Sequence, residues 1–145
     1  MKNSFVVLLF LTIALTACVK DKDLISSDQI SPNIIDLTRP AQQTGTMMSG
    51  SHPTSGTVSV RTGAQKPTDL YLVFENFKTD PGPDLRVYLA EDQNAGGFVE
   101  LATLDKTGNF HLAIPANTDL QKKKFVLIWC KRFKELFGSA ELKKQ

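Results

Sequence analysis

Cysteine and histidine are scarce in this chain, two of each, and it has one tryptophan and two tyrosines. So small a stock excludes a scaffold built on several disulfides and leaves few ligands for a metal centre. An excess of one charge is also missing. The formal net charge is +2, and no basic run interleaved with aromatics occurs, so nucleic acid is not an expected partner. Lys122-Lys123-Lys124 reads as a solvated turn whose charges guard the apolar strand that follows. Catalytic signatures are absent as well. There is no Gly-x-Ser-x-Gly elbow, no Gly-rich phosphate loop and no His-Glu-x-x-His, and neither His52 nor His111 has a nucleophile and base arranged beside it. Hydrolase, transferase and metal-catalytic chemistries are therefore not expected. Without a Cys-x-x-Cys-His sequence, covalently attached c-type haem is excluded.

No apolar run is long enough to cross a bilayer, which takes about 20 residues. The strongest, residues 5–15, follows the single charge of Lys2 and ends in Leu15-Thr16-Ala17-Cys18. Its length and position suit a signal peptide over residues 1–17. The ending resembles the lipobox of bacterial lipoproteins. That resemblance implies that small residues at Thr16 and Ala17 admit the lipoprotein signal peptidase, and that Cys18 takes a thioether-linked diacylglycerol before cleavage. Two or three acyl chains on one residue anchor stably where one chain is marginal. The expected location is the bacterial cell envelope, with the protein lipid-anchored on the extracytoplasmic side of a membrane. Val19, where an aspartate could stand, resembles lipoproteins bound for the outer membrane of two-membrane cells, and residues 20–23 loosely resemble a surface-export signal.

A lipidated Cys18 has no thiol left, so Cys130 has no partner within its own chain. An unpaired thiol in an oxidising compartment needs a reason. One reason is redox function. The other is burial, because free cysteine behaves as a small core hydrophobe.

At 145 residues the chain holds one domain of ordinary size plus a short appendage. Residues 18–44 are polar, with Ser26, Ser27, Ser31, Pro32, Asn33 and Pro40, and read as a flexible tether. From Gly45 to Leu142 short alternating runs separated by Gly, Pro, Asn and Asp predict a single all-β domain, an antiparallel sandwich or barrel. The strands are expected at 56–61, 70–74, 85–89, 98–104, 109–114 and 125–130. The last, Phe125-Val126-Leu127-Ile128-Trp129-Cys130, is apolar throughout and should be buried on both faces. Strand alternation puts Phe125, Leu127 and Trp129 on one face and Val126, Ile128 and Cys130 on the other. Phe133, Leu136 and Phe137 lie at helical spacing before Gly138, which predicts a short C-terminal helical turn.

Three segments carry a resemblance. They are Gly50-Ser51-His52-Pro53-Thr54-Ser55-Gly56-Thr57-Val58, then residues 76–89 around Pro81-Gly82-Pro83-Asp84, and residues 126–142 around Trp129-Cys130. Together they resemble the electron-transfer DM domain, the DM-thirteen module, found alone in bacterial lipoproteins and beside DOMON domains in animal proteins. The resemblance implies an all-β fold, a characteristic cysteine at Cys130, and a redox role through thiol oxidation or haem ligation. It also implies a redox partner protein. On this reading the chain is a membrane-anchored extracytoplasmic electron-transfer module. The alternative is a cell-surface binding or structural sandwich in which Cys130 is a core residue. A weaker third reading, a carbohydrate-binding sandwich, would need exposed aromatics on one face, and Tyr71 and Tyr88 are the only tyrosines available to it.

Each candidate residue has a plainer reading beside the functional one. Lys131 and Arg132 could favour the Cys130 thiolate, while Val126 and Ile128 on its own face would raise the pKa and leave it inert. Pro81-Gly82-Pro83 makes a rigid turn that Asp84 can cap, and a cation site would need more oxygen ligands than one aspartate. His52, Asp84 and Trp129 are candidate ligand or support residues. Trp129 faces away from the thiol and reads as core, His52 as a loop residue before Pro53, and His111 as an outward strand position. His52, His111, Cys130 and Met47 or Met48 are the ligand types of a blue-copper centre. Such centres cluster them in one short loop, and no His or Met follows Cys130, so no metal is expected. Non-covalent haem with Cys130 or a histidine as axial ligand is the one cofactor left open.

Overall fold

The computed structural model describes residues 33–145. The signal peptide, Cys18 and most of the expected tether lie outside that range. Among the described residues there are strands and turns and no helix. The strands are β1 Gln43–Thr46, β2 Met48–Ser49, β3 Thr54–Thr62, β4 Leu70–Thr79, β5 Leu85–Ala90, β6 Val99–Thr103, β7 Gly108–Ile114, β8 Phe125–Cys130, β9 Glu135–Glu141 and β10 Lys143–Lys144. They form two antiparallel five-stranded sheets, ordered β10-β1-β3-β4-β7 and β2-β9-β8-β5-β6. The all-β sandwich reading holds.

Period-two patterning places the core. Val58 and Val60 on β3, Leu72 and Phe74 on β4, Val87 and Leu89 on β5, and Val126 and Ile128 on β8 meet between the sheets with essentially no exposure. Burying each such side chain contributes about 1.5–3 kcal/mol. Phe74 stacks on Phe110 at 4.5 Å, and Phe77 meets both edge-on at 5.2 and 5.8 Å. Phe77 reaches the core because β4 continues past Phe74 through a bulge, with Asn76 at φ 52°. β8 is central, between β5 and β9. Its inward and outward residues fall as the alternation predicts.

Two expectations are corrected. The C-terminal helical turn is absent. Residues 131–134 form a tight turn with Lys134 at φ 55°, and residues 135–141 are strand β9. The apolar spacing was misleading because its members divide between environments. Phe137 points into the core, Leu136 pairs across from Trp129 on the outer face, and Phe133 is 63% exposed at the turn. The open edge of β8 needs a hydrogen-bonding partner, and β9 supplies it. Gly138, read as a helix stop, sits in mid-strand.

The expected tether also ends earlier than residue 44. Ile35 bridges Gly63 and is fully buried, and Gln43 begins β1. The chain from Gln43 to Ser49 crosses from one sheet to the other at buried Met47, and residues 135–144 cross back at buried Leu142. These two crossing segments close one side of the sandwich.

Because the strands alternate in direction, the connections gather at two poles. Residues 50–53, 80–84, 104–107 and 131–134 lie at the pole where Cys130 ends β8. Residues 63–69, 91–98 and 115–124 lie at the other, where the described chain also enters.

Candidate functional site

Cys130 is the last residue of β8, opposite Leu85 of β5 and Glu135 of β9. Its side chain turns inward and is fully buried, in one core cluster with Leu85, Val87, Ile128 and Phe137. It is the free cysteine of the described residues.

The β4–β5 connection seals this pole. A Cβ at residue 82 would stand 2.7 Å from Leu85 Cδ2 and 3.0 Å from Phe137 Cζ, so glycine is what lets the loop lie so close. Asp84, at the end of the loop, ties it down twice. Its backbone carbonyl accepts from the Lys131 N–H at 2.9 Å, and its carboxylate accepts from Arg86 Nε at 2.6 Å. Arg86 also donates to Glu100 at 2.7 Å, and Lys131 Nζ reaches the same carboxylate at 3.4 Å. Asp84 thus caps the loop and joins a short ion-pair chain on the surface of the second sheet.

His52 guards the pole from the other side. Its ring stacks on Phe137 with centroids 3.8 Å apart, and its Nδ1 lies 3.2 Å from Asp80 Oδ2. The loop around it is stitched to β9. Gly50 and Ser51 donate backbone N–H bonds to the carbonyls of Phe137 and Leu136 at 2.8 and 2.9 Å. The buried Thr54 hydroxyl lies within hydrogen-bonding distance of the His52 and Phe137 carbonyls, both at 3.2 Å, and of the Thr79 hydroxyl at 3.1 Å. It is pressed against residue 138, where a Cβ would stand 2.5 Å from Thr54 Cβ.

Trp129 is half-buried on the outer face, across from Arg86 and Leu136, with its ring 6.5 Å from that of Tyr88. Tyr88 lies beneath Phe98, stacked at 4.2 Å. Desolvation, and then the Glu100 charge, hold its phenol above the ordinary value. Trp129 therefore belongs to a small outer cluster with Tyr88 and Leu127, and not to the main core.

The structure gathers His52, Asp84, Trp129 and Cys130 at one pole and leaves His111 elsewhere. His111 lies on β7, paired with Val73, against Tyr71 at 5.7 Å. Burial, with the Lys106 charge second, holds its imidazole below the ordinary value. Met47 is in the core and Met48 is 70% exposed. The four copper-type ligands are thus dispersed, and no three metal-ligating side chains gather among the described residues. Sequence reasoning missed Asp80, Thr54 and Phe137, which hold the pole together. The only local signal was that all three fall inside the motif segments.

Haem does not fit these residues. An axial ligand must face a slot as wide as the macrocycle. The Cys130 side chain faces packed core, the His52 ring is covered by Phe137, and the larger cavities are lined by neither histidine nor Cys130. A cavity of about 440 Å³ does open at this pole between residues 79–82 and 104–107, with Leu85 and Leu104 on its wall.

The fold and site define a small β-sandwich domain that keeps one unpaired thiol sealed under one pole. Residues 46–142 match the family model described as Electron transfer DM13, and the chain belongs to that family. Its role in general terms is therefore in electron transfer. No curated protein and no solved structure matches the chain.

Proposed function

We propose that this protein is an electron-transfer module held on the extracytoplasmic side of a membrane by lipid on Cys18, with Cys130 as its redox group. Family membership supports the electron-transfer part. The observation that carries the choice of Cys130 is its position: an unpaired thiol at the pole where the family's motif segments converge. With the pole closed, no disulfide can reach the sulfur. Exchange therefore requires the seal of residues 81–84 and Phe137 to part. The Cys130 thiolate then attacks one sulfur of a partner's disulfide. A new S–S bond forms, the partner's S–S bond breaks, and the displaced thiolate takes up the proton that Cys130 lost.

Equilibrating the folded chain with glutathione disulfide tests this. A reversible mixed disulfide at Cys130, absent in Cys130→Ser, is expected. A native chain that never acquires the adduct removes the basis for a redox thiol. Replacing Cys18 with Ala should move the protein from the membrane fraction to the soluble one, and unchanged retention would count against lipidation.

Complete burial favours a second reading, in which Cys130 is a packing residue of a surface sandwich. In that case Cys130→Ser destabilises the fold, and the glutathione adduct forms only on unfolded chain.

A further inference from the structure

We infer that the β8–β9 turn, Lys131-Arg132-Phe133-Lys134, is the docking surface for an acidic, disulfide-bearing protein. The inference rests on the reading that electrons leave through the Cys130 pole, and it names the partner's chemistry.

Three observations carry it. First, the turn concentrates positive charge. Of its three cations only Lys131 meets a carboxylate, Glu100, and Arg132 and Lys134 make no ion pair among the described residues. Of the other acidic groups at this pole, Asp84 pairs with Arg86, Asp80 lies 3.2 Å from the His52 ring, and Asp105 makes no ion pair among the described residues. Glu135 at the foot of the turn still leaves it net positive. Such a patch steers an acidic surface toward it and suppresses basic ones.

Second, the turn offers an apolar anchor. Phe133 is 63% exposed, with the Arg132 guanidinium 6.0 Å from its ring. Aromatic residues and arginine are the side chains enriched at protein interfaces. The turn is also held in place before any partner arrives, by the Lys131–Asp84 backbone bond and the left-handed Lys134, which lowers the ordering cost of docking.

Third, position selects among occupants. The turn begins at the residue after Cys130, so whatever docks there stands over the sealed thiol. The described chain enters at the opposite pole, where Ile35 bridges Gly63. The anchor proposed at Cys18 lies N-terminal to that entry, so the tether joins the domain at the pole opposite the turn.

The test places the full chain, isotope-labelled, in nanodiscs of zwitterionic phosphatidylcholine and adds an acidic thioredoxin in its disulfide form. Backbone amide shifts should concentrate at residues 131–134 and their neighbours and should fade with added salt. The double variant Arg132→Glu/Lys134→Glu should weaken the interaction roughly tenfold or more, and Phe133→Ala should weaken it without changing the salt dependence. Shifts at the opposite pole, or none, overturn the inference. So does perturbation of the turn by anionic phosphatidylglycerol nanodiscs without the protein, which would make lipid the occupant. Shifts at the turn with no mixed disulfide at Cys130 leave the docking surface standing and count against the redox thiol alone.

Discussion

The two poles of the sandwich satisfy their polar groups in different ways. At the Cys130 pole, short connections bond across the fold: residues 50 and 51 to β9, Lys131 to Asp84, and Thr54 to both Thr79 and Phe137. At the other pole the connections are longer, and several of their bonds are local. Asp92 accepts from the N–H groups of Asn94 and Gly96, and Asp119 from those of Gln121 and Lys122. Cross-fold bonding makes one pole a seal, while the other combines local bonds with links beyond each loop, such as Lys123 to Glu91 and Gly97, and Gln93 to Ser139. A thiol kept dry at the first pole is thus protected by tertiary contacts, and reaching it means breaking several of them together.

Phe137→Ala should break that contrast most severely. It removes the ring that supports both His52 and Gly82, and about 3–5 kcal/mol of stability should go with it. Urea denaturation measures the loss, and a value below about 1 kcal/mol would show that the ring is no part of the seal. Gly138→Ala comes next. Its new methyl group would press on Thr54, costing about 1–3 kcal/mol, whereas Asp119→Ala at the opposite pole should cost less than about 1 kcal/mol. Equal losses would erase the difference between the poles. His52→Ala should cost about 0.5–1.5 kcal/mol by removing the stack on Phe137.

The smallest effect concerns pH and lies away from both poles. The folded chain holds His111 below the ordinary imidazole value of 6.5, first by burial and then by the Lys106 charge. As pH falls through that value the unfolded chain takes up the proton first. The contribution is therefore complete above it and lost as pH falls through the folded value. Thermal unfolding should show a slight loss of stability below about pH 6.5, and His111→Gln should flatten it.

The strands of the two sheets were largely legible in the sequence because residues such as Val58, Leu72, Val87 and Ile128 alternate with a period of two. β9 was not, because Phe133, Leu136 and Phe137 satisfy a helical spacing while serving a turn and two strand faces. The crossing segments were hidden for a different reason. Gln43 pairs with Lys144 and Met48 with Ser139, and contacts between chain ends leave no local pattern. The candidate residues were found through the motif segments. The stack of His52 on Phe137 and the burial of Cys130 depend on tertiary packing, which no local pattern displays.

The most direct test is the rate at which Cys130 of the folded chain reacts with a thiol reagent as urea is raised toward, but not into, the unfolding transition. If the pole opens by itself, the rate is nearly independent of urea and exceeds what global unfolding permits. A rate that rises with the full urea dependence of unfolding, and matches the unfolded population, would make Cys130 a core residue and contradict its redox role.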